Sequence, residues 1–195
     1  MKNYYKTKNL SIQTSYWQPD HAIIQHTMNT IQRSLVVLKP DCVQRGFMGE
    51  IITRFEKVGL KIVGMKMLRL TDEILEAHYE GIGGLKTRKG DKVFGNTKAM
   101  MQVSPVIAMV VEGVEAIEQI RMMVGPTEPK SASPGTIRGD YAHVSYNHAD
   151  STKIGVKNLI HASANVEEAE KELSLWFSID EMFEYKTVHD IHVIK

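Results

Sequence analysis

Residues 34–70 read SLVVLKPDCVQRGFMGEIITRFEKVGLKIVGMKMLRL, and three elements can be parsed from them. The run Ser34–Lys39 is short, apolar and stopped by Pro40, the pattern of a buried strand, because proline cannot donate to a sheet ladder. Ile51, Ile52, Phe55 and Val58 then recur at helical spacing. Gly59 follows them and can take the left-handed conformation in which many helices end. Leu60–Leu70 interleaves apolar residues with lysines and is strand-like.

Downstream, Thr71 can cap a helix whose first turn carries Asp72 and Glu73 at the positive end of its dipole. Residues 80–98 are rich in Gly and Lys and are expected to form a loop. Val106–Val111 is a further strand, and Ile117, Ile120 and Val124 mark a helix that ends at Gly125. Beyond the loop GPTEPKSASPG, Thr136–Tyr146 is expected to contain the last strand-like stretch. Asn165 with Glu168 makes a capping-box-like start for a helix with the apolar stripe Val166, Ala169, Leu173 and Trp176. This order implies an α+β fold (an α/β sandwich) with the ferredoxin-like split βαβ arrangement. A four-stranded antiparallel sheet would have helices packed on it, expected on one face. Residues 1–32 lack periodicity and are expected to be an N-terminal extension to a domain spanning 33–195.

Composition narrows the function classes. The 24 basic residues are balanced by 23 acidic ones. No electrostatic footprint for nucleic acid or an anionic membrane results, so any anion must be held by a local cluster. Cys42 is the only cysteine, which rules out an internal disulfide and favours a reducing, cytoplasmic setting. It is expected to be a small buried side chain near a strand end. The longest apolar run, Val106–Val111, is too short to span a membrane, and the polar N-terminus lacks the apolar core of a secretory signal.

Residues 83–87, GGLKT, lack the G-K-[ST] of a P-loop, and Gly81, Gly83 and Gly84 do not have G-x-G-x-x-G spacing. Phosphates here would therefore need cationic side chains and a metal ion. Of the eight histidines, none matches a zinc signature. His78, on a helix beside Tyr79, is read as a surface or packing residue. His161 stands apart in NLIHASANVEEAEKELSLWF, after Leu159–Ile160 and before a helix cap. Asn158 and Ser163 lie close to it in sequence, and Glu172 is a carboxylate that could orient its ring. Arg138, set among small residues in SASPGTIRGD, could contact phosphate bidentately or pair with Asp140. Lys39 ends an apolar strand and is either a rim residue or an anion ligand.

Taken together, these segments resemble the nucleoside diphosphate kinase family. The resemblance runs from about Arg33 to the C-terminus. Its anchors are residues 35–66, the pair His78–Tyr79, SPVIAMVVEG, GPTEP, SPGTIRGD, NLIHAS with EEAEKELSLWF, and EYKTVHD. The resemblance implies a ping-pong phosphotransferase that moves the γ-phosphoryl group of a nucleoside triphosphate, chiefly ATP, to diphosphates such as GDP. It makes His161 the nucleophile and Glu172 its orienting carboxylate. Lys39, Arg121, Thr127 and Arg138 become phosphate-binding residues, and Tyr79, Asn158 and Ser163 supporting polar groups. Mg2+ would arrive with the nucleotide rather than in a protein cage, and a homo-oligomer, hexamer or tetramer, is implied.

Four departures from the common family pattern stand out. The 80–98 segment is longer, leaving Arg88 and Phe94 as candidates for the family's arginine and aromatic, with Phe94 or its neighbour Val93 as a flat apolar contact for the base. The 141–156 stretch is also longer and blurs one base-pocket position. Ala162-Ser163-Ala164 replaces the usual Gly-Ser-Asp, and the extension has no counterpart. The alternative reading is a catalytically silent relative used as an interaction or regulatory module; keeping His161, Glu172 and three cations argues against it. A different phosphohistidine enzyme would need a second catalytic histidine, which the sequence does not reveal.

Overall fold

A computed structural model describes residues 30–194. Residues 1–29 of the expected extension, and Lys195, lie outside the described residues. Strand β1 (Ile31–Leu38) starts earlier than Ser34, so Ile31 and Gln32 join the sheet. Pro40 opens the short helix α1 (Pro40–Gln44), where its missing N–H costs nothing. Helix α2 (Met48–Lys57) buries Ile51 and Phe55, and Gly59 follows with φ +86° before strand β2 (Lys61–Leu68).

The Thr71 side chain accepts from Ile74 N at the start of helix α3 (Asp72–Leu75), which continues as a π-helical turn, Glu76–Ile82. Helices α4 (Leu85–Lys89) and α5 (Asp91–Gln102) then occupy the segment expected to be a loop. The glycines there are junctions rather than signs of irregularity. Gly84 (φ +57°) and Gly90 (φ +86°) turn the chain between helices, and the Glu80 carboxylate accepts from Lys86 N and Thr87 N at the start of α4.

Strand β3 (Val106–Val114) and helix α6 (Ala116–Val124) follow. The strand expected in 136–146 is not formed. Thr136 instead accepts from Gly139 N and caps helix α7 (Ile137–Tyr141), and Ser145 caps helix α8 (Tyr146–Thr152). A side-chain cap satisfies backbone donors that a strand would have to pair, and it prevails here. The fourth strand is β4 (Ile160–Ala162), only three residues long. Helix α9 (Val166–Trp176) starts at Asn165, whose side chain accepts from Glu168 N, and helix α10 (Asp190–Val193) lies near the C-terminus.

The sheet order is β2-β3-β1-β4 with every pairing antiparallel, the split βαβ topology. Helices cover both faces, not one. Val36 and Leu38 of β1 pack with Met109, Val111, Phe55 and Ile120, while Leu35 and Val37 pack with Val63, Val110, Met101 and Trp176. The unbroken run Leu35–Leu38 reflects this, since alternate residues of a strand point to opposite faces and both sets are buried here. His161 pairs with Val37 in the register, which puts it on the sheet face covered by α9.

Candidate active site

Two local irregularities shape the site. Within the π-turn, Gly83 N bonds His78 O five residues back, and the widened turn brings both His78 and Tyr79 to one cavity wall. The second is Leu159, buried with φ +68° just before β4. A left-handed, branched residue costs on the order of 1–3 kcal/mol and persists only where its surroundings fix it. Here Leu159 N donates to Asp41 Oδ2 at 3.0 Å, and Leu159 O accepts from Lys39 N at 2.8 Å. The kink sits between Asn158 and His161 and lets both line one cavity of about 630 Å³.

His161 Nε2 lies 2.8 Å from Glu172 Oε1, and Ser163 Oγ donates to Glu172 Oε2 at 2.6 Å. Ser163 Oγ in turn accepts from Leu35 N at 3.0 Å, which ties the carboxylate to the central strand. Burial by itself would raise the Glu172 pKa. The His161 hydrogen bond and charge, His78 and Ser163 outweigh it and hold the carboxyl below its usual range. Glu172 is thus an ionised acceptor, so Nε2 is the donor, and in a neutral ring the Nδ1 lone pair is left as nucleophile.

The cationic side of the cavity is built from three elements. Lys39, at the end of β1, donates from Nζ to Asn158 Oδ1 at 2.7 Å. Burial first, and then the nearby Arg138 charge, lower its pKa to about 8, with Asp41 opposing. Arg138, on α7, donates to three backbone carbonyls: Gly125 at 2.8 Å, Asn158 at 3.2 Å and Ile160 at 2.5 Å. Burial and then Arg121 lower it to about 10. It does not pair with Asp140, which bonds Arg54 instead at 2.6 Å. Arg121 and Thr127 line the same cavity, and Asn158 Nδ2 donates to Thr127 O at 2.8 Å. The Tyr79 hydroxyl is buried without a hydrogen-bond partner among the described residues, and burial pushes its pKa up.

Of the residues singled out from sequence, Lys39, Tyr79, Arg121, Thr127, Arg138, Asn158, His161 and Glu172 share this cavity. Ser163 is buried behind Glu172. Phe94 is buried away from the cavity, whose wall is supplied by Val93 and, from the lengthened segments, by Arg88 and Ile154. Cys42 is buried, and burial raises its thiol pKa to about 12. His78, expected to be a surface or packing residue, packs inside the site. It is buried with its ring 4.6 Å from that of His161 and its Nδ1 3.6 Å from Glu172 Oε1. Its adjacency to Tyr79 was the one signal available, and no spacing rule links it to His161 across the chain.

His78, His161 and Glu172 offer three ligand atoms within 4.8 Å of one another. That donor set does not fit Mg2+, which takes oxygen ligands. His161 Nε2 is also already bonded to Glu172, and His78 Nδ1 to the Trp176 N–H.

The family model "Nucleoside diphosphate kinase" matches residues 32–182. A nucleoside diphosphate kinase of Pyrococcus furiosus is 48% identical over 160 residues, covering 81% of this chain and 90% of that protein. One from Borreliella burgdorferi is 41% identical, covering 80% and 93%. Among solved structures, the transition-state mimic of the Borrelia burgdorferi enzyme with bound vanadate and ADP superposes with a TM-score of 0.81. It is 39% identical and covers 85% of this chain and 98% of its own. The Halobacterium salinarum enzyme in complex with CDP gives a TM-score of 0.70 at 36% identity, covering 83% and 97%. With its fold, its cavity-lining cations and these relatives in agreement, the chain belongs to the nucleoside diphosphate kinase family, a family of phosphotransferases.

Proposed function

We propose that His161 carries the phosphoryl group in a ping-pong exchange between nucleoside triphosphates and diphosphates. The observation that supports this most is the His161 Nε2···Glu172 bond, which leaves Nδ1 as the free nucleophilic nitrogen. In the first half-reaction, Nδ1 forms a bond to the γ-phosphorus as the bond from that phosphorus to the β-bridging oxygen breaks, and the nucleoside diphosphate leaves. Positive charge developing on the ring is met through Nε2–H by the Glu172 carboxylate. A second diphosphate then takes the group by the reverse steps.

Lys39, Arg121 and Arg138 neutralise and align the transferring phosphoryl group, which is most of what this chemistry requires. Tyr79 offers its unpartnered hydroxyl and Asn158 fixes Lys39. Of the carboxylates lining the cavity, Asp150 and Glu168 do not gather with Glu172 into a set of three ligands among the described residues, and Glu172 is bonded to His161 and Ser163. A Mg2+ ion carried by the nucleotide would screen its phosphate charge, leaving the remaining charge to Lys39, Arg121 and Arg138. Exposed Ile179, Phe183, Val188 and Ile191 near the C-terminus support a homo-oligomer. A cytoplasmic location is supported by the single, buried cysteine.

Incubation with γ-labelled ATP should label the wild-type protein and then yield labelled GTP on adding GDP. His161→Ala should do neither, while substitutions at His143, His148 or His189 should leave labelling intact. Normal turnover by His161→Ala would overturn the assignment.

A further inference from the structure

His78 is only 4% exposed, yet it carries a titratable ring inside the site, and the chemistry above does not use it. Trp176 Nε1 lies 3.2 Å from His78 Nδ1. An indole N–H can only donate, so Nδ1 is an acceptor and the single proton of the ring sits on Nε2. The same Nδ1 is 3.6 Å from Glu172 Oε1, the oxygen that bonds His161 Nε2 at 2.8 Å. Two imidazoles therefore converge on one carboxylate oxygen, and only one of them donates to it.

Without the indole hydrogen bond, Nδ1 could take the proton, by tautomerisation or from solvent. The 3.6 Å approach would then become a donor contact that competes with His161. A charged donor would compete more strongly still, because charge-assisted hydrogen bonds are about twice as strong as neutral ones. Such a competitor would pull Glu172 off the nucleophile and free its ring to rotate. The other groups around His78 lead to the same form. Burial first and the His161 charge next lower its pKa to about 3; Lys39 adds to this and Glu172 opposes it. The ring is also held edge-on by Tyr79 at 4.8 Å, His161 at 4.6 Å and Trp176 at 5.4 Å between centroids.

We propose that His78 and Trp176 are positioning residues for phosphoryl transfer. The indole N–H holds His78 as a neutral, Nε2-protonated ring, so that Glu172 orients His161 alone. The proposal rests on the assignment of His161 as phosphoryl carrier.

Its first test does not depend on activity. Nitrogen NMR of histidine-labelled protein should show His78 Nδ1 unprotonated, whatever the fate of the carrier assignment. Trp176→Phe keeps an aromatic ring and removes the donor. It should move the His78 proton to Nδ1 and slow single-turnover phosphoenzyme formation by about 5–10-fold, with the nucleotide KM unchanged. Adding His78→Phe to Trp176→Phe removes the competitor and should bring the rate back to within about twofold of wild type. A merely structural role would make the two losses add. A protonated Nδ1 in the wild type, a Trp176→Phe variant at full rate, or a double variant no faster than the single would each overturn the proposal.

Discussion

At the scale of single residues, Lys39 shows how burial tunes a binding charge. Its ammonium is anchored on Asn158, and its pKa of about 8 lies below the ordinary 10.5 because water has been removed from around it. A polyphosphate restores the missing counter-charge, so the bound complex should titrate later than the free enzyme. We expect kcat/KM for the nucleoside triphosphate donor, which meets the unphosphorylated enzyme, to fall between about pH 7.5 and 9, with kcat much flatter, because kcat/KM reports groups in the free enzyme. A kcat/KM constant to pH 10 would show that the lysine stays charged. The sign for stability is opposite. The unfolded chain keeps this proton up to about pH 10.4, so folded stability from this group rises between about pH 8 and that value.

At the scale of elements, α7 is a short helix that delivers one side chain. Thr136 caps it, and Arg138 reaches back from it to the carbonyls on either side of Leu159. The turn is closed so tightly that a Cβ on Gly139 would lie 2.0 Å from Ser133 O and 2.9 Å from Thr136 Oγ1. Gly139→Ala should therefore open the cap, lower stability to denaturant by about 1–3 kcal/mol, and raise the nucleotide KM as Arg138 shifts. An unchanged unfolding midpoint would mean that the turn yields freely.

The same scale explains what the sequence pattern missed. Three-residue β4 is too short for a periodic signal, and its place is set by pairing with Val36–Leu38 across more than a hundred residues. Helices α4 and α5 were hidden by glycines that serve as junctions between them.

At the scale of the whole molecule, every residue assigned to the chemistry lies at or beyond Lys39. A protein starting at Met28 should keep near-normal turnover per folded protomer. Lost activity with fold and assembly intact would give residues 1–27 a part in the site. Breadth for the base is also a whole-molecule property, because the far cavity wall joins α5 to the segment after α8, where Gly155 sits against Met100 and Asn96. Val93 and Ile154 present apolar surface there. Apolar contact is tolerant, whereas paired base-edge hydrogen bonds would discriminate by about 1–3 kcal/mol each. We expect kcat/KM for ADP, GDP, CDP and UDP to fall within about two orders of magnitude. A thousandfold preference for one base would instead assign a reading role to polar wall residues such as Asn96 and Asp150.

The sequence by itself determined the strand–helix–strand beginning and the split βαβ class, and its resemblance to a known family singled out His161, Glu172, Lys39 and Arg138 as the residues to watch. The fold features rest on local periodicity and capping chemistry, which are properties of neighbouring residues, and the choice of residues rests on the order of the matched motifs. Only the tertiary structure decided that helices cover both sheet faces, that Arg138 is spent on backbone carbonyls rather than on Asp140, and that Val93 rather than Phe94 faces the cavity. It also decided that His78, on a π-turn far away in the chain, meets His161 and Trp176. The reason is physical. Burial, desolvation and the sharing of one carboxylate oxygen between two imidazoles depend on contacts between elements distant in sequence, which no local pattern encodes.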